Sequence, residues 1–185
     1  MVLGDSLSAG LGLSGGEAFP AKLARALKAK GIAVDIANAG VSGDTASGGL
    51  ARLDWSVPEG TDAVIVQLGA NDALRGVDPK VTRGALDQIM RRMKERGIEV
   101  LLAGMLAPRN LGNDFTRKFD SIYPELAEKY GALLYPFFLD GVATLARLNQ
   151  RDGVHPNAEG VGVIVKGILP KVEELVNRVR AKSAT

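Results

Sequence analysis

The sequence predicts an α/β fold, a three-layer α/β/α arrangement around a doubly wound, mostly parallel sheet, and two observations predict it. Short apolar runs alternate with segments of helical periodicity, which requires parallel pairing and right-handed crossovers. Glycine-containing polar turns follow the first three runs, so they open on one rim of the sheet. The first run is Val2-Leu3, and the first helix carries an apolar stripe of Phe19, Leu23, Ala26 and Leu27. Residues 33–37 and 63–68 read as the second and third strands. The next helix is expected to be capped by Asp78 with Pro79 at its first position, to bury Val81, Ala85, Ile89 and Met93, and to stop at Gly97. Residues 100–103 form the fourth strand, Phe119, Ile122 and Leu126 the third helical stripe, and residues 132–135 the fifth strand. A last helix is expected from Pro156, broken or kinked at Pro170.

At 185 residues with 46% hydrophobic content, one domain over residues 1–185 is expected, burying ~70% of its unfolded surface. The 23 basic and 21 acidic side chains nearly cancel and form no dense basic run, which argues against a nucleic-acid partner. No apolar segment reaches the roughly 18 residues of a membrane span, so no stable membrane insertion is expected. The chain as given shows no basic n-region with an apolar h-region; it reads as soluble, with its compartment open and an upstream export segment compatible with it. Oligomeric state is not readable.

With no cysteine and one histidine, few routes to an activated nucleophile exist. His155 is the leading general base, and Asp152, three residues earlier, can orient its ring. The polar turns are Gly4-Asp5-Ser6, residues 38–44 and residues 69–72. Together they offer a hydroxyl, small residues that expose backbone N–H groups, and the amide of Asn71, which are the parts acyl transfer requires. Asp5, Asp44 and Asp72 suggest a metal, yet one histidine and no helical carboxylate pair speak against it; they are expected to accept backbone N–H bonds in the turns. Residues 10–15 fit G-x-G-x-x-G with Asp35 some 20 residues further on. A dinucleotide site needs the first glycine directly at the end of strand one and the acid at the end of strand two, and neither holds.

GDSLS at residues 4–8, Gly43 within NAGVSGDT, GAND at 69–72 and DGVHP at 152–156 resemble the four ordered blocks of the SGNH (GDSL) hydrolases. The finer similarity is to the bacterial branch of thioesterase I, arylesterases and lysophospholipases, and it extends through connecting segments such as GLARL at 49–53. The resemblance implies a flavodoxin-like fold, a Ser6–His155–Asp152 triad, and an oxyanion hole of the Ser6 and Gly43 N–H groups with the Asn71 side chain. It also implies relatives that are often exported to the periplasm.

The expected function is serine ester hydrolysis of short-chain acyl esters, without metal or cofactor. A thioesterase or lysophospholipase with the same triad is the alternative, and a non-catalytic carbohydrate- or lipid-binding module is a third reading. Leu11, Leu74, Leu106, Pro108 and Leu111 are candidate acyl-pocket residues, and Arg75 and Arg109 candidate contacts to a polar leaving group.

Overall fold

A computed structural model of the chain describes residues 1–183. Strands β1 (Val2–Gly4), β2 (Asn38–Gly40), β3 (Ala63–Gln67), β4 (Glu99–Ala103) and β5 (Leu133–Tyr135) form one parallel sheet in the order β2-β1-β3-β4-β5. From β1 the chain moves outward to β2, then returns past β1 to β3 and continues the other way. The direction therefore reverses between β1 and β3, and the crevice beyond their carboxyl ends is where such sheets place ligands.

Nine α-helices occur among the described residues. Helices α2 (Phe19–Ala29) and α9 (Ala158–Ser183) pack together, and α9 lies along β3, β4 and β5. Helices α6 (Pro79–Glu95) and α8 (Ile122–Tyr130) cover β4, and α8 also reaches β5. The amphipathic stripes explain these contacts: Phe19, Leu23 and Leu27 of α2 and Leu86 and Ile89 of α6 are fully buried. Asp78 caps α6 by accepting the Lys80 N–H, with Pro79 at its start, as the sequence predicts.

Four expectations are corrected. The second strand is residues 38–40, not 33–37; the earlier stretch is largely exposed, and Ala37 only lends its carbonyl to the Val2 N–H. β2 is an edge strand, and the three-residue β1 gives it a ladder from Asn38 to Gly40, so pairing rather than apolar content sets its position. Val81 is half exposed instead of joining the stripe of α6. The third stripe is divided between α7 (Asn113–Asp120) and α8, which separate at Ser121. Helix α9 begins at Ala158 and runs through Pro170, whose exposed position puts the missing hydrogen bond on the solvent side while the opposite face stays packed.

The element that matters for the site is α1 (Ser6–Ala9), a single turn directly after β1. Asp5 caps it by accepting the Leu7 N–H at 2.9 Å, and Gly10 ends it in the left-handed region at φ 85°. The turn lies directly against β2: a Cβ on Gly40 would stand 2.4 Å from the Ala9 nitrogen and 2.9 Å from the Asp5 carbonyl oxygen. Both are backbone atoms with no rotamer to change. Gly40→Ala is therefore expected to destabilise by about 1–3 kcal/mol and to lower activity, because the helix turn that must shift begins at Ser6. Urea denaturation and ester turnover check this, and a variant with wild-type midpoint and rate would refute the close seat.

Candidate active site

Ser6 is the first residue of α1 and is 7% exposed, so it is a buried residue of the rim, not a surface turn position. Its Oγ lies 2.9 Å from His155 Nε2, and His155 Nδ1 lies 2.7 Å from Asp152 Oδ2. With the ring proton on Nδ1 donated to the carboxylate, Nε2 is left to accept the serine proton. Asp152 and His155 belong to a turn, not a helix. Asp152 Oδ1 accepts the His155 and Val154 N–H groups at 3.0 and 2.9 Å, which folds the carboxylate back onto the ring. Those backbone donors, first that of His155, hold the Asp152 carboxyl down at about 2 although its side chain is half exposed.

Gly43 and Asn71 approach from the neighbouring turns. Gly43 has φ 87°, a conformation that favours glycine, and Arg75 Nη2 donates to its carbonyl oxygen at 3.0 Å. Asn71 lies in α5 (Ala70–Leu74) and donates one amide hydrogen to the Asp44 carbonyl at 2.9 Å, which leaves the second amide hydrogen for another acceptor. Among the described residues, no protein acceptor takes the N–H of Ser6 or of Gly43. Three donors on three different turns are thus available at one crevice.

The turns are tied together by side chains, of which Arg52 and Gln150 have no role in the sequence reading. Arg52 donates through Nη2 to the Gly4 carbonyl at 2.9 Å, through Nε to Asp44 Oδ2 at 2.5 Å, and through Nη1 to Ser56 Oγ at 2.8 Å. Asp72 is fully buried and accepts the Ala46 N–H at 2.8 Å and the Thr82 hydroxyl at 2.9 Å. Asp5 and Asp72 therefore hold backbone N–H groups as expected, whereas the carboxylate of Asp44 pairs with Arg52. Gln150 donates to the carbonyls of Leu11 and Pro156 at 2.7 and 3.0 Å, bracing the histidine turn. Arg52 falls within the GLARL segment, so its place was visible, but its partners lie too far along the chain to be inferred.

The candidate pocket residues divide. Leu11 and Leu106 are exposed on loops and Leu74 is exposed at the end of α5, Pro108 and Leu111 are partly buried beyond β4, and Arg75 is engaged with Gly43. Arg109 is paired with Asp120 at 2.6 Å, which turns its charge toward α7. Among the described residues, no group of three or more His, Cys, Asp or Glu side chains is arranged to hold a metal, and no helix is long and apolar enough to cross a membrane.

Residues 2–163 match the model of the GDSL-like Lipase/Acylhydrolase family. The chain is 38% identical over 178 residues to thioesterase 1/protease 1/lysophospholipase L1 of Escherichia coli (strain K12), covering 96% of this chain and 84% of that one. It is 41% identical over 160 residues to the arylesterase of Vibrio mimicus, covering 86% and 80%. Among solved structures, AlinE4, an SGNH-hydrolase family esterase, is 48% identical with a TM-score of 0.79 over 94% of this chain and 93% of that one.

The Arg52 clamp makes a distinct prediction. Its side chain and that of Asp44 are 15% and 16% exposed, so Arg52→Ala leaves a nearly buried carboxylate without its donor and the Gly4 carbonyl with only the Val41 N–H. The expected loss is about 3 kcal/mol, with a fall in kcat, because Gly4 leads into Ser6. Arg52→Lys should be intermediate, since one ammonium cannot reach all three acceptors. Thermal unfolding alongside turnover measures both; an Ala variant as stable as wild type removes the clamp.

Proposed function

The chain belongs to the GDSL-like lipase/acylhydrolase family and is a serine ester hydrolase, and we propose that Ser6, His155 and Asp152 carry out its chemistry. The observation that supports this assignment is the continuous chain of contacts from Ser6 Oγ through His155 to Asp152 at 2.9 and 2.7 Å. His155 Nε2 takes the hydroxyl proton as Ser6 Oγ bonds to the acyl carbonyl carbon. The oxyanion that forms is received by the Ser6 and Gly43 N–H groups and the second amide hydrogen of Asn71. His155 then protonates the leaving alkoxide, an acyl-enzyme remains on Ser6, and water repeats the sequence to release the acid. Asp152 stays ionised throughout and balances the imidazolium. No step requires a cofactor.

A fluorophosphonate should add once to the wild-type protein and not at all to Ser6→Ala, read by intact mass. Ser6→Ala should remain folded by circular dichroism while turnover drops to the level that binding and the oxyanion donors alone sustain. In the same assay Asn71→Ala should lose ~10²–10³ in kcat with a smaller change in KM. A labelled Ser6→Ala protein, or one with near-wild-type turnover, would sink the assignment.

For substrate length, we propose short acyl esters. Leu11, Leu74 and Leu106 are exposed around the rim, and a shallow apolar edge gains only about 0.8 kcal/mol per methylene it covers. The second reading, thioesterase or lysophospholipase action, is favoured by the name of the E. coli relative. Measured kcat/KM along a series of p-nitrophenyl esters should peak between two and about six carbons, since a shallow site stops rewarding added methylenes. A maximum at palmitoyl length, or higher kcat/KM on acyl-CoA or lysophospholipid, would establish the second reading instead.

A further inference from the structure

Beneath the proposed nucleophile lies a titratable group that this mechanism leaves idle. Asp5 is fully buried, and while its Oδ1 accepts the Leu7 N–H, its Oδ2 has no hydrogen-bond partner. The only other buried side-chain atom without one among the described residues is Gln67 Nε2. Gln67, the last residue of β3, is also fully buried, and its Oε1 is fixed by the Ser8 hydroxyl, which donates to it at 2.8 Å. An orphan acceptor and an orphan donor thus belong to neighbouring side chains, since Gln67 pairs in the ladder with Gly4, the residue before Asp5, and Gln67 acts to lower the Asp5 carboxyl. A hydrogen bond between the two would relieve the cost of both.

We infer that Asp5 is a positioning residue for the Ser6–His155 pair, held as a carboxylate by Gln67 and released from that state when the Gln67 amide reverses. In the first state Gln67 Nε2–H donates to Asp5 Oδ2 and Oε1 receives the Ser8 hydroxyl. In the second, Asp5 has taken a proton from solvent, its O–H donates to Gln67 Oε1, and Nε2–H donates to Ser8 Oγ. The two states differ by one proton and one amide rotation; the ionised one pairs all three side chains, whereas the protonated one leaves the Ser8 hydroxyl hydrogen without an acceptor, so the ionised state is the better satisfied. In it the Asp5 charge acts on His155 together with that of Asp152.

The surroundings set the balance. Burial raises the Asp5 carboxyl to about 6, opposed by the Leu7 N–H, by Gln67 and by His155, and assisted by the Asp44 charge. Arg52 partly offsets Asp44 by pairing with it and also touches the Gly4 carbonyl. From α8, Tyr123 feels the Asp5 charge but is fully buried and stays neutral, donating to the Leu68 carbonyl at 2.9 Å. Because the folded value lies above the ordinary 3.8, the buried charge opposes folding. That cost is absent below about pH 4, sets in between about 4 and 6, and is complete above.

The inference rests on the proposed role of Ser6 and His155, so its test has an arm that needs no turnover. In wild-type protein carrying ¹³C-labelled aspartate, the Asp5 carboxyl, assigned through its connectivity to Ser6, should titrate near pH 6. In Gln67→Met, which removes the donor to the charged form, the transition should rise by about one unit. Asp5→Asn should lower kcat/KM at pH 8 by about tenfold and reduce the acid limb of its pH profile to one proton, yet melt no lower than wild type at that pH, because the buried charge is gone. A purely structural Asp5 would lose stability and activity together. An Asp5 carboxyl titrating below pH 5, one unmoved by Gln67→Met, or an Asp5→Asn enzyme with wild-type kcat/KM would overturn the inference. If the titration behaves as expected but Ser6→Ala keeps its activity, the fault lies with the nucleophile assignment and not with the Asp5–Gln67 pair.

Discussion

The rim of this sheet depends on one guanidinium. Among the described residues, Arg52 is the side chain that reaches both the end of β1 and the turn after β2, holding the Gly4 carbonyl and the Asp44 carboxylate together. Beyond the carboxyl ends of the strands the backbone adds only the Val41 N–H to the Gly4 carbonyl between these turns, and the proposed chemistry asks them to supply a hydroxyl and three hydrogen-bond donors. Arg52 provides the alignment on one side. On the other, Asp72 joins the turn after β2 to α6 by accepting from Ala46 and Thr82. Both are ionic hydrogen bonds in sites largely closed to water, where a misplaced partner costs more than it would at the surface.

The carboxylates at this rim show how environment divides one chemistry into separate tasks. Asp152 is half exposed, and the two backbone N–H groups of its own turn that converge on it hold its carboxyl down at about 2, so it is an anion throughout the mildly acidic range. Asp5 is enclosed and pushed up by burial, so it alone of the two can change charge in the mildly acidic range. A pair of titratable groups whose surroundings drive them apart is the arrangement expected where protons are moved. The charge that Asp152 sets against His155 persists through the mildly acidic range, and the charge that Asp5 adds is conditional.

Much of this was legible in the sequence, for a physical reason. Ser6, Asn71, Asp152 and His155 sit in short local motifs, and each turn's geometry is set within a few residues. Helices α2 and α6 declared themselves by apolar spacing and, for α6, by Asp78 and Pro79. What could not be read are the ties between motifs: Arg52 to Gly4 spans 48 positions and Ser8 to Gln67 spans 59. Gln67 reads as one polar letter in the apolar run of β3, and only the sheet order reveals that it lies beside β1. The displacement of β2 has the same origin. Residues 33–37 carry the apolar signal, but at an edge the ladder offered by β1 decides which residues pair, and that is a tertiary fact. At Pro170 the helix is not broken, because the rest of α9 is anchored by its packing.

The histidine turn poses the remaining geometric problem, since it is exposed and connects to no strand of the sheet. Gln150 resolves it. Its backbone N–H donates to the His155 carbonyl at 2.7 Å and its own carbonyl accepts from Gly153 at 2.9 Å, so the turn closes on itself. Its side chain then binds the Leu11 carbonyl, just past the end of α1, and the Pro156 carbonyl. The proposed base and nucleophile are thereby referred to the same element: α1 carries Ser6 at one end, and the residue after its cap holds the loop of His155. A change in the tilt of α1 moves both partners together, which preserves the 2.9 Å contact between them. It shifts them instead against Gly43 and Asn71. For the proposed chemistry, the fold therefore guards the Ser6–His155 contact more strongly than the register of the oxyanion donors, and the close seat of α1 on Gly40 is what ties the second to the first.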